Sequence, residues 1–367
     1  MFYGSWEALE ELGSGGQGMV YLARQKNDAL TRPDLAQSFG KSLRDATSER
    51  NLVSAVASAE KIFDLIREFC KEAIAKKFAV KVLRPSKDDG TRTKALQRLK
   101  NEVATLEKVK HPSLINIVDH KIDEGWFVMD YYPATLAGSL GRTKGDLLAS
   151  LRAIRPIVDA VATLHKDGYV HRDIKPDNVF VASDDRLVLG DFGLVVQMDD
   201  RSGRVTDTYE NVGSRDWMPG WALGMKLDDV KPTFDVFSLG KLLWAMVSGR
   251  EKLRLWYLHK PEFEIEQMFP DDASIKWGRE ILDKCIVEDE VQCLPNAGEL
   301  LKLIDIVIRA LRQGGQLPIH GPIRCRICCR GEYTDFISDA GGGEALACNY
   351  CGNVQSFSKV DRRPGWK

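Results

Sequence analysis

The 367-residue sequence is 44% apolar and 29% charged, and both values lie within the range of soluble globular proteins. Its 52 basic and 53 acidic residues give a net charge of −1, which argues against a surface wholly devoted to nucleic acid or anionic lipid. The length predicts two or three domains. The N-terminus is acidic where a signal peptide is basic, and the longest apolar stretches are too short to span a bilayer. We therefore expect a cytoplasmic protein that makes no membrane contact.

Residues 6–23 are predicted to form two strands around a glycine-rich turn. The turn places Gly13, Gly15 and Gly18 ahead of Val20. Glycines at this spacing let backbone amides approach phosphate oxygens closely, because no Cβ intervenes. No Gly-Lys-Ser/Thr sequence follows, which disfavours a Walker-type phosphate loop. On its own, the spacing also fits a dinucleotide-binding turn.

Residues 24–77 are predicted to be a helical insertion. Between Leu52 and Ala73 the apolar residues recur at alternating steps of four and three, which is the spacing of a helical seam. Two interpretations stay open. The helix packs on a sheet or helix of its own chain, or it forms an interface with a second copy or another partner.

The chain after the insertion is predicted to be mixed at first and then mainly helical. A strand at 78–83, a helix at 94–108 and strands near 114–121 and 126–130 precede helices at 151–167, 234–248, 276–287 and 296–312. A linker at 314–322 then leads to a cysteine-rich tail at 323–367.

The tail contains two Cys-x-x-Cys pairs, Cys325 with Cys328 and Cys348 with Cys351. This spacing predicts a zinc ribbon in which four thiolates surround one Zn²⁺. Cys329 is an alternative to Cys328, although the two-residue gap favours Cys328. The role of the ribbon stays open among a protein contact, a nucleic-acid contact, which is not favoured, and simple clamping of the fold.

Four motifs occur in a fixed order along the rest of the chain. They are the glycine-rich turn, Ala79-Val80-Lys81, residues 171–178 (His-Arg-Asp-Ile-Lys-Pro-Asp-Asn) and Asp191-Phe192-Gly193. Together they resemble the eukaryotic-type (Hanks-type) serine/threonine protein kinase family. The resemblance covers residues 6 to about 312. It implies an α+β, bilobal kinase fold with a small antiparallel β lobe at 1–130 and a large helical lobe at 131–313.

The resemblance also implies ATP as the phosphate donor. The residues expected around the nucleotide are Gly13, Gly15, Gly18, Val20, Ala79 and Lys81, with Met129 behind the adenine and Asp130, Tyr131 and Tyr132 as the hinge. Lys81 would hold the α- and β-phosphates. Glu102 matches the glutamate that pairs with this lysine, and Glu107 is the alternative.

The catalytic roles implied by the resemblance fall on the third and fourth motifs. Asp173 would orient the substrate hydroxyl, and Lys175 would neutralise charge on the transferring phosphoryl group. Asn178 and Asp191 would bind Mg²⁺. Lys175, together with Ser214 after Gly213, matches the serine/threonine-directed members, so the expected partner is a protein substrate.

Arg172 predicts regulation by phosphorylation, because a phosphate on the activation segment would offer the arginine a charge-assisted partner. The candidate acceptors are Ser202, Thr206, Thr208 and Ser214.

The chain departs from the family where Ala-Pro-Glu is expected, because it reads Met218-Pro219-Gly220-Trp221. Trp221 takes the place of the glutamate, and Leu294 takes the place of the arginine that pairs with it. Exchanging both for apolar groups leaves no stranded charge, so we predict that Trp221 and Leu294 lie close together. The missing glutamate keeps a pseudokinase scaffold, or a nucleic-acid-sensing adaptor acting through the ribbon, as the alternative function.

Overall fold

A computed structural model describes most of the first 312 residues and four short strands of the tail. The described residues are 1–14, 18–25, 41, 44, 56–57, 59–64, 77–86, 88–198, 216–222, 230–254, 257–312, 323–324, 332–338, 344–348 and 354–356. The chain divides into two compact units, the first comprising Met1–Val103 with Asn116–Tyr131 and the second Ala104–Ile115 with Tyr132–Lys367. Within the described ranges, no helix has the length and apolar character needed to cross a membrane.

The first unit is built on an antiparallel sheet. Its strands are β1 (Phe2–Tyr3), β2 (Trp6–Ser14), β3 (Gly18–Gln25), β4 (Phe78–Leu83), β5 (Ile117–Lys121) and β6 (Trp126–Asp130). They lie in the order β1-β2-β3-β4-β6-β5. The antiparallel N-terminal sheet expected from the sequence is therefore confirmed.

One face of this sheet is an aromatic and β-branched core. The buried residues are Trp6, Ala23, Val80, Val82, Trp126 and Val128. Trp6 packs edge-on against Phe78 with ring centroids 4.8 Å apart, and its indole N–H donates to the Asp119 carboxylate over 2.7 Å. The buried indole therefore keeps its hydrogen bond while its ring supplies apolar area.

Helix α1 (Asp89–Lys108) begins five residues before the predicted start at Lys94. The Asp88 carboxylate accepts a hydrogen bond from the Thr91 N–H over 2.7 Å, so it caps the first turn. The apolar periodicity begins only later, because this first turn is exposed to solvent. The capping signal therefore marks the start of the helix better than the apolar period does.

The second unit is mainly helical. Its helices are α2 (Leu147–Lys166), α3 (Thr233–Ser248), α4 (Ile265–Met268), α5 (Ile275–Leu282) and α6 (Ala297–Arg312). Short 3-10 helices lie at Leu136–Thr143, Pro176–Asn178, Gly220–Ala222, Tyr257–His259 and Glu290–Gln292. Every residue of α3 is buried. This helix is therefore the centre of the unit, and its charged residues are held by specific partners.

Two small sheets support the loops between the helices. β7 (Ala134–Thr135), β9 (Val179–Val181) and β10 (Leu187–Leu189) form one, and β8 (Tyr169–Val170) pairs with β11 (Val196–Gln197). The predicted strand at 114–121 is shorter than expected. Leu114 bridges Leu189 instead, and the Ile115 N–H donates to the Leu189 carbonyl over 3.0 Å, so these two residues belong to the second unit.

The tail contains a four-stranded antiparallel sheet in chain order. Its strands are β12 (Ile323–Arg324), β13 (Glu332–Ser338), β14 (Glu344–Cys348) and β15 (Val354–Ser356). Ile323 and Cys348 are both register partners of Tyr333. The chain therefore leaves β12 and β14 at the same end of the sheet. Cys325, Cys328 and Cys351 lie outside the described residues.

The predicted insertion at 24–77 is described only in part. Residues 56–57 and 59–64 are helical, in line with the predicted seam. Phe63 is 72% exposed and Val56 is 53% exposed. These two apolar side chains of the seam therefore face solvent in the single chain.

Candidate active site

In the first unit, Lys81 lies in the middle of β4, between Val20 on β3 and Phe127 on β6. Its ammonium is 2.9 Å from one carboxylate oxygen of Glu102 and 3.0 Å from the other. The side chains of Lys81 and Glu102 are 10% and 1% exposed. Glu107, the alternative partner, is exposed. A buried ion pair with two hydrogen bonds thus fixes the ammonium at the sheet surface.

The glycines of the predicted phosphate-binding turn differ in what they contact. Gly13 pairs with Val20 across the β2–β3 hairpin, and a Cβ built on Gly13 would meet no atom within 4 Å. A Cβ on Gly18 would lie 2.4 Å from the Val82 carbonyl oxygen. Strand packing therefore requires Gly18, whereas none of the residues that the structure describes fills the space at Gly13. Gly15 lies outside the described residues.

The predicted adenine-binding residues sit on β4 and β6. Ala79 pairs with Met129 across these strands, and both are buried. The Asp130 N–H donates to the Asn116 carbonyl and the Tyr131 N–H to the Lys77 carbonyl, each over 3.3 Å. In the second unit, the Tyr132 ring stacks on Phe180 at 5.5 Å.

In the second unit, the residues of the predicted catalytic loop, 171–178, converge on Asp173. The Lys175 ammonium is 2.9 Å from the Asp173 Oδ2. The Asn178 amide nitrogen donates to the same oxygen over 2.8 Å and to the Asp173 carbonyl over 2.7 Å. The Asp173 carboxylate is thus buried, oriented and held beside a cation, which are the properties needed of a group that positions a hydroxyl.

Asp191 lies near Asn178 because a backbone hydrogen bond joins the preceding residue, Gly190, to Asn178. The Gly190 N–H donates to the Asn178 carbonyl over 2.8 Å. A Cβ on Gly190 would lie 2.4 Å from the Phe180 ring, so only glycine allows this approach. Asp191 has φ +54°, a left-handed backbone that an aspartate adopts at a cost. Strain at a carboxylate beside the catalytic loop is typical of a functional position.

Asp235, at the start of α3, is hydrogen-bonded to the backbone of the catalytic loop. Its carboxylate accepts hydrogen bonds from the His171 and Arg172 backbone N–H groups, each over 2.8 Å. His165 Nε2 donates to it over 2.9 Å, because His165 Nδ1 accepts the Ala297 N–H. No role was predicted for Asp235 or His165 from the sequence. An acidic residue in a mainly apolar, buried helix is the signal that could have found Asp235.

Burial and these hydrogen bonds shift the pKa values of Asp235 and His171. Burial by itself raises the pKa of Asp235, but the hydrogen bond from His165, together with that from the His171 backbone N–H, holds that pKa below its ordinary value. Burial lowers the pKa of His171, so this imidazole is neutral near pH 7. Its Nε2 lies 3.1 Å from the Gly190 carbonyl, and its ring packs edge-on against Phe192 at 4.6 Å.

Arg172 connects the catalytic loop to the chain after Asp191. It has φ +68°, and its Nε donates to the Leu194 carbonyl over 2.6 Å. The candidate phosphate acceptors Ser202, Thr206, Thr208 and Ser214 lie outside the described residues.

Trp221, in the place of the family glutamate, packs on α3. Its ring lies edge-on against Phe237 with centroids 5.2 Å apart, and it also packs against the cluster Met218, Ala222 and Phe234. Leu294 is half-buried, and its N–H donates to the Lys284 carbonyl over 2.9 Å. The proximity of Trp221 and Leu294 stays a prediction.

Comparison with known protein families identifies a protein kinase domain in this chain. The model of the protein kinase domain family matches residues 62–290. This match begins after the glycine-rich turn, so the assignment of that turn depends on the β2–β3 hairpin and not on the family match.

The chain is also similar to curated serine/threonine-protein kinases. It is 31% identical over 206 residues to max-2 of Caenorhabditis elegans, covering 53% of this chain and 31% of that protein. It is 30% identical over 212 residues to PAK 1 of Mus musculus, covering 55% and 37%. It is 29% identical over 181 residues to PknB of Mycobacterium tuberculosis, covering 47% and 28%. The chain therefore spans about a third of the length of these relatives.

Proposed function

The chain belongs to the protein kinase domain family, and from that premise we propose that it is a serine/threonine protein kinase. It transfers the γ-phosphate of ATP to Ser and Thr hydroxyls of a protein substrate and of its own chain. The observation that carries this proposal is the buried Asp173 carboxylate with Lys175 and Asn178 on one oxygen. The names of the relatives support the choice of acceptor, because all three are serine/threonine-protein kinases.

Phosphoryl transfer requires alignment and charge neutralisation more than covalent chemistry. Asp173 accepts the hydrogen bond of the acceptor hydroxyl and orients its oxygen for attack. Lys175, 2.9 Å from Asp173, is close enough to neutralise charge on the transferring group.

Lys81 binds the α- and β-phosphates in this proposal. Glu102 holds its ammonium through two hydrogen bonds, so the cation is positioned before ATP arrives and little side-chain entropy is lost on binding. Because the N–H groups of Asp130 and Tyr131 already donate within the first unit, we assign adenine recognition to the Asp130 carbonyl and the Tyr132 backbone.

The residues present also fit Mg²⁺. Asn178 uses its amide nitrogen on Asp173, so its amide oxygen is the atom that a cation would bind, and Asp191 supplies a carboxylate. Hard oxygen ligands suit Mg²⁺, which binds through few protein groups and keeps phosphate oxygens and water. When bound, the ion neutralises phosphate charge. In the described part of the chain no cluster of three His, Cys, Asp or Glu side chains could hold a metal.

Transfer of labelled γ-phosphate tests this function. Wild-type protein with casein, Mg²⁺ and ATP should label casein and itself, whereas Asp173→Ala and Asp191→Ala should lower labelling at least about a thousandfold. Glu107→Ala is the matched control and should keep wild-type labelling. Absence of labelling with wild-type protein would favour a pseudokinase scaffold.

We also propose that residues 323–367 bind one Zn²⁺ through Cys325, Cys328, Cys348 and Cys351, after a linker at 314–322. The register of β12, β13 and β14 supports this, because the chain enters both Cys-x-x-Cys connections from the same end of the sheet. A segment of this size holds too little core to fold alone, so metal binding would supply folding free energy. The ribbon would then present a surface for a substrate or partner.

The inserted helix is proposed as a contact surface for a second copy or a partner protein. The exposure of Phe63 and Val56 supports this interpretation over packing within the chain. Size-exclusion chromatography with light scattering would compare wild type with Phe63→Asp plus Ile66→Asp. Loss of a dimer with the fold intact supports the interface, and unfolding supports a packing role.

A further inference from the structure

Lys241 is a charged residue inside the most buried helix of the chain. It is 1% exposed. Its ammonium donates to the carbonyl oxygen of Leu253 over 2.9 Å and to that of Asp216, and it lies 5.2 Å from the Phe237 ring centroid. Burial lowers its pKa to about 8, and the charge of Asp216 opposes this shift. A buried ammonium is costly unless its hydrogen bonds are satisfied, and here the backbone of two loops satisfies them.

Ser238, one turn earlier on α3, is hydrogen-bonded to Trp217, the residue that follows Asp216 in the same loop. Its hydroxyl donates to the Trp217 carbonyl over 2.9 Å. Residues three apart on a helix share a face. Lys241 and Ser238 therefore hold two consecutive carbonyls, those of Asp216 and Trp217, from one face of α3.

The loop held in this way is the end of the activation segment. Asp216 and Trp217 immediately precede Met218-Pro219-Gly220-Trp221, which takes the place of Ala-Pro-Glu. They follow Ser214, which the family resemblance associates with serine/threonine specificity. Trp217 and Met218 are buried, whereas Asp216 is exposed. The two hydrogen bonds therefore fix the backbone at the point where the segment passes from solvent into the helical unit.

We propose that Lys241 is a positioning residue for the protein substrate, which acts by fixing the Asp216–Trp217 backbone at the end of the activation segment. This inference rests on the proposed kinase function. Neither ATP phosphates nor adenine is assigned to this loop, so Lys241 should affect the protein acceptor and not the nucleotide.

Steady-state kinetics of the full chain with casein as the probe test the proposal. Lys241→Met removes the ammonium and keeps the aliphatic stem. The KM for casein should rise about tenfold, the size expected for losing a hydrogen bond from a charged group, and the KM for ATP should stay within about twofold. Trp244→Phe is the matched control, because it lies on the same buried helix and loses one bond to the Phe263 carbonyl.

Equal changes in the casein KM of Lys241→Met and Trp244→Phe would overturn the proposal. If both raise the casein KM alike, or if Lys241→Met leaves it within twofold of wild type, Lys241 is only part of the core. If Lys241→Met does not fold, Ser238→Ala should raise the casein KM in the same direction, and an unchanged KM contradicts the proposal.

Hydrogen exchange separates this inference from the proposed function. Even if wild-type protein phosphorylates nothing, amides of Trp217–Ala222 should exchange faster in Lys241→Met than in Trp244→Phe. Equal exchange in the two variants would overturn the positioning role, whereas faster exchange without any kinase activity would refute only the proposed function.

Discussion

Trp221 lies edge-on against Phe237 with ring centroids 5.2 Å apart, at the position where the kinase family carries a glutamate. Such aromatic pairs contribute beyond their buried area. The contact joins the 3-10 helix Gly220–Ala222 to α3. An apolar contact therefore attaches this segment to the helical unit, where an ion pair is expected from the family resemblance.

Restoring the glutamate alone should therefore destabilise the protein. Trp221→Glu loses the ring contact and brings a carboxylate against an apolar cluster, so we expect the free energy of unfolding to fall by about 2 kcal/mol. Urea unfolding followed by circular dichroism measures this change. Adding Leu294→Arg should recover part of the loss if Trp221 and Leu294 are close. A double variant no more stable than additive single effects would place them apart.

Substitutions in the buried pair of Lys81 and Glu102 should separate an effect on stability from an effect on activity. Lys81→Met leaves the Glu102 carboxylate buried without its cation, which should cost about 3 kcal/mol. Adding Glu102→Leu removes the stranded charge and should recover most of that stability. Phosphate transfer should stay abolished in both variants, because neither has an ammonium for the ATP phosphates. Recovery of activity in the double variant would contradict the role of Lys81.

The two described glycines of the phosphate-binding turn should behave differently. Gly18→Ala places a Cβ 2.4 Å from the Val82 carbonyl oxygen, so it should destabilise the first unit by about 2 kcal/mol. Among the described residues no atom lies within 4 Å of a Cβ at Gly13, so in Gly13→Ala the melting temperature should stay unchanged while the KM for ATP rises about tenfold. An unchanged KM would remove Gly13 from the nucleotide site.

Asp235 should make stability depend on pH in the acid range. Its pKa is held below the ordinary value of 3.8 in the folded chain. Its contribution is therefore complete above that value and is lost as the pH falls through the lower folded-state pKa. Asp235→Asn should be less stable by about 2 kcal/mol between roughly pH 5 and 8. The difference from wild type should narrow below about pH 4, and a constant difference would contradict the assignment.

Metal analysis tests the tail. Purified protein should contain one zinc per chain, and Cys348→Ser should lose it because a closed tetrahedral site needs all four thiolates. Cys329→Ser is the matched control and should keep the metal. Loss of zinc in Cys329→Ser with retention in Cys328→Ser would assign the ligand to Cys329.

The sequence by itself determined the motifs that name the chemistry. Asp173, Lys175, Asn178 and Asp191 lie within 19 consecutive residues, so their order and spacing are visible without a fold. Glu102 was likewise predicted from the family resemblance, as the residue that pairs with Lys81. Periodicity likewise located the helices, although caps such as Asp88 moved their starts.

Only the tertiary structure decided which groups hold this chemistry in place. Asp235 is 62 residues from Asp173 along the chain, and Lys241 is 25 residues from Asp216, so no local pattern connects them. Both are polar groups in the apolar helix α3, and their partners are mostly backbone atoms, which carry no sequence signature. A buried charge must find such partners to offset its lost hydration. Folding alone brings those partners within hydrogen-bonding distance.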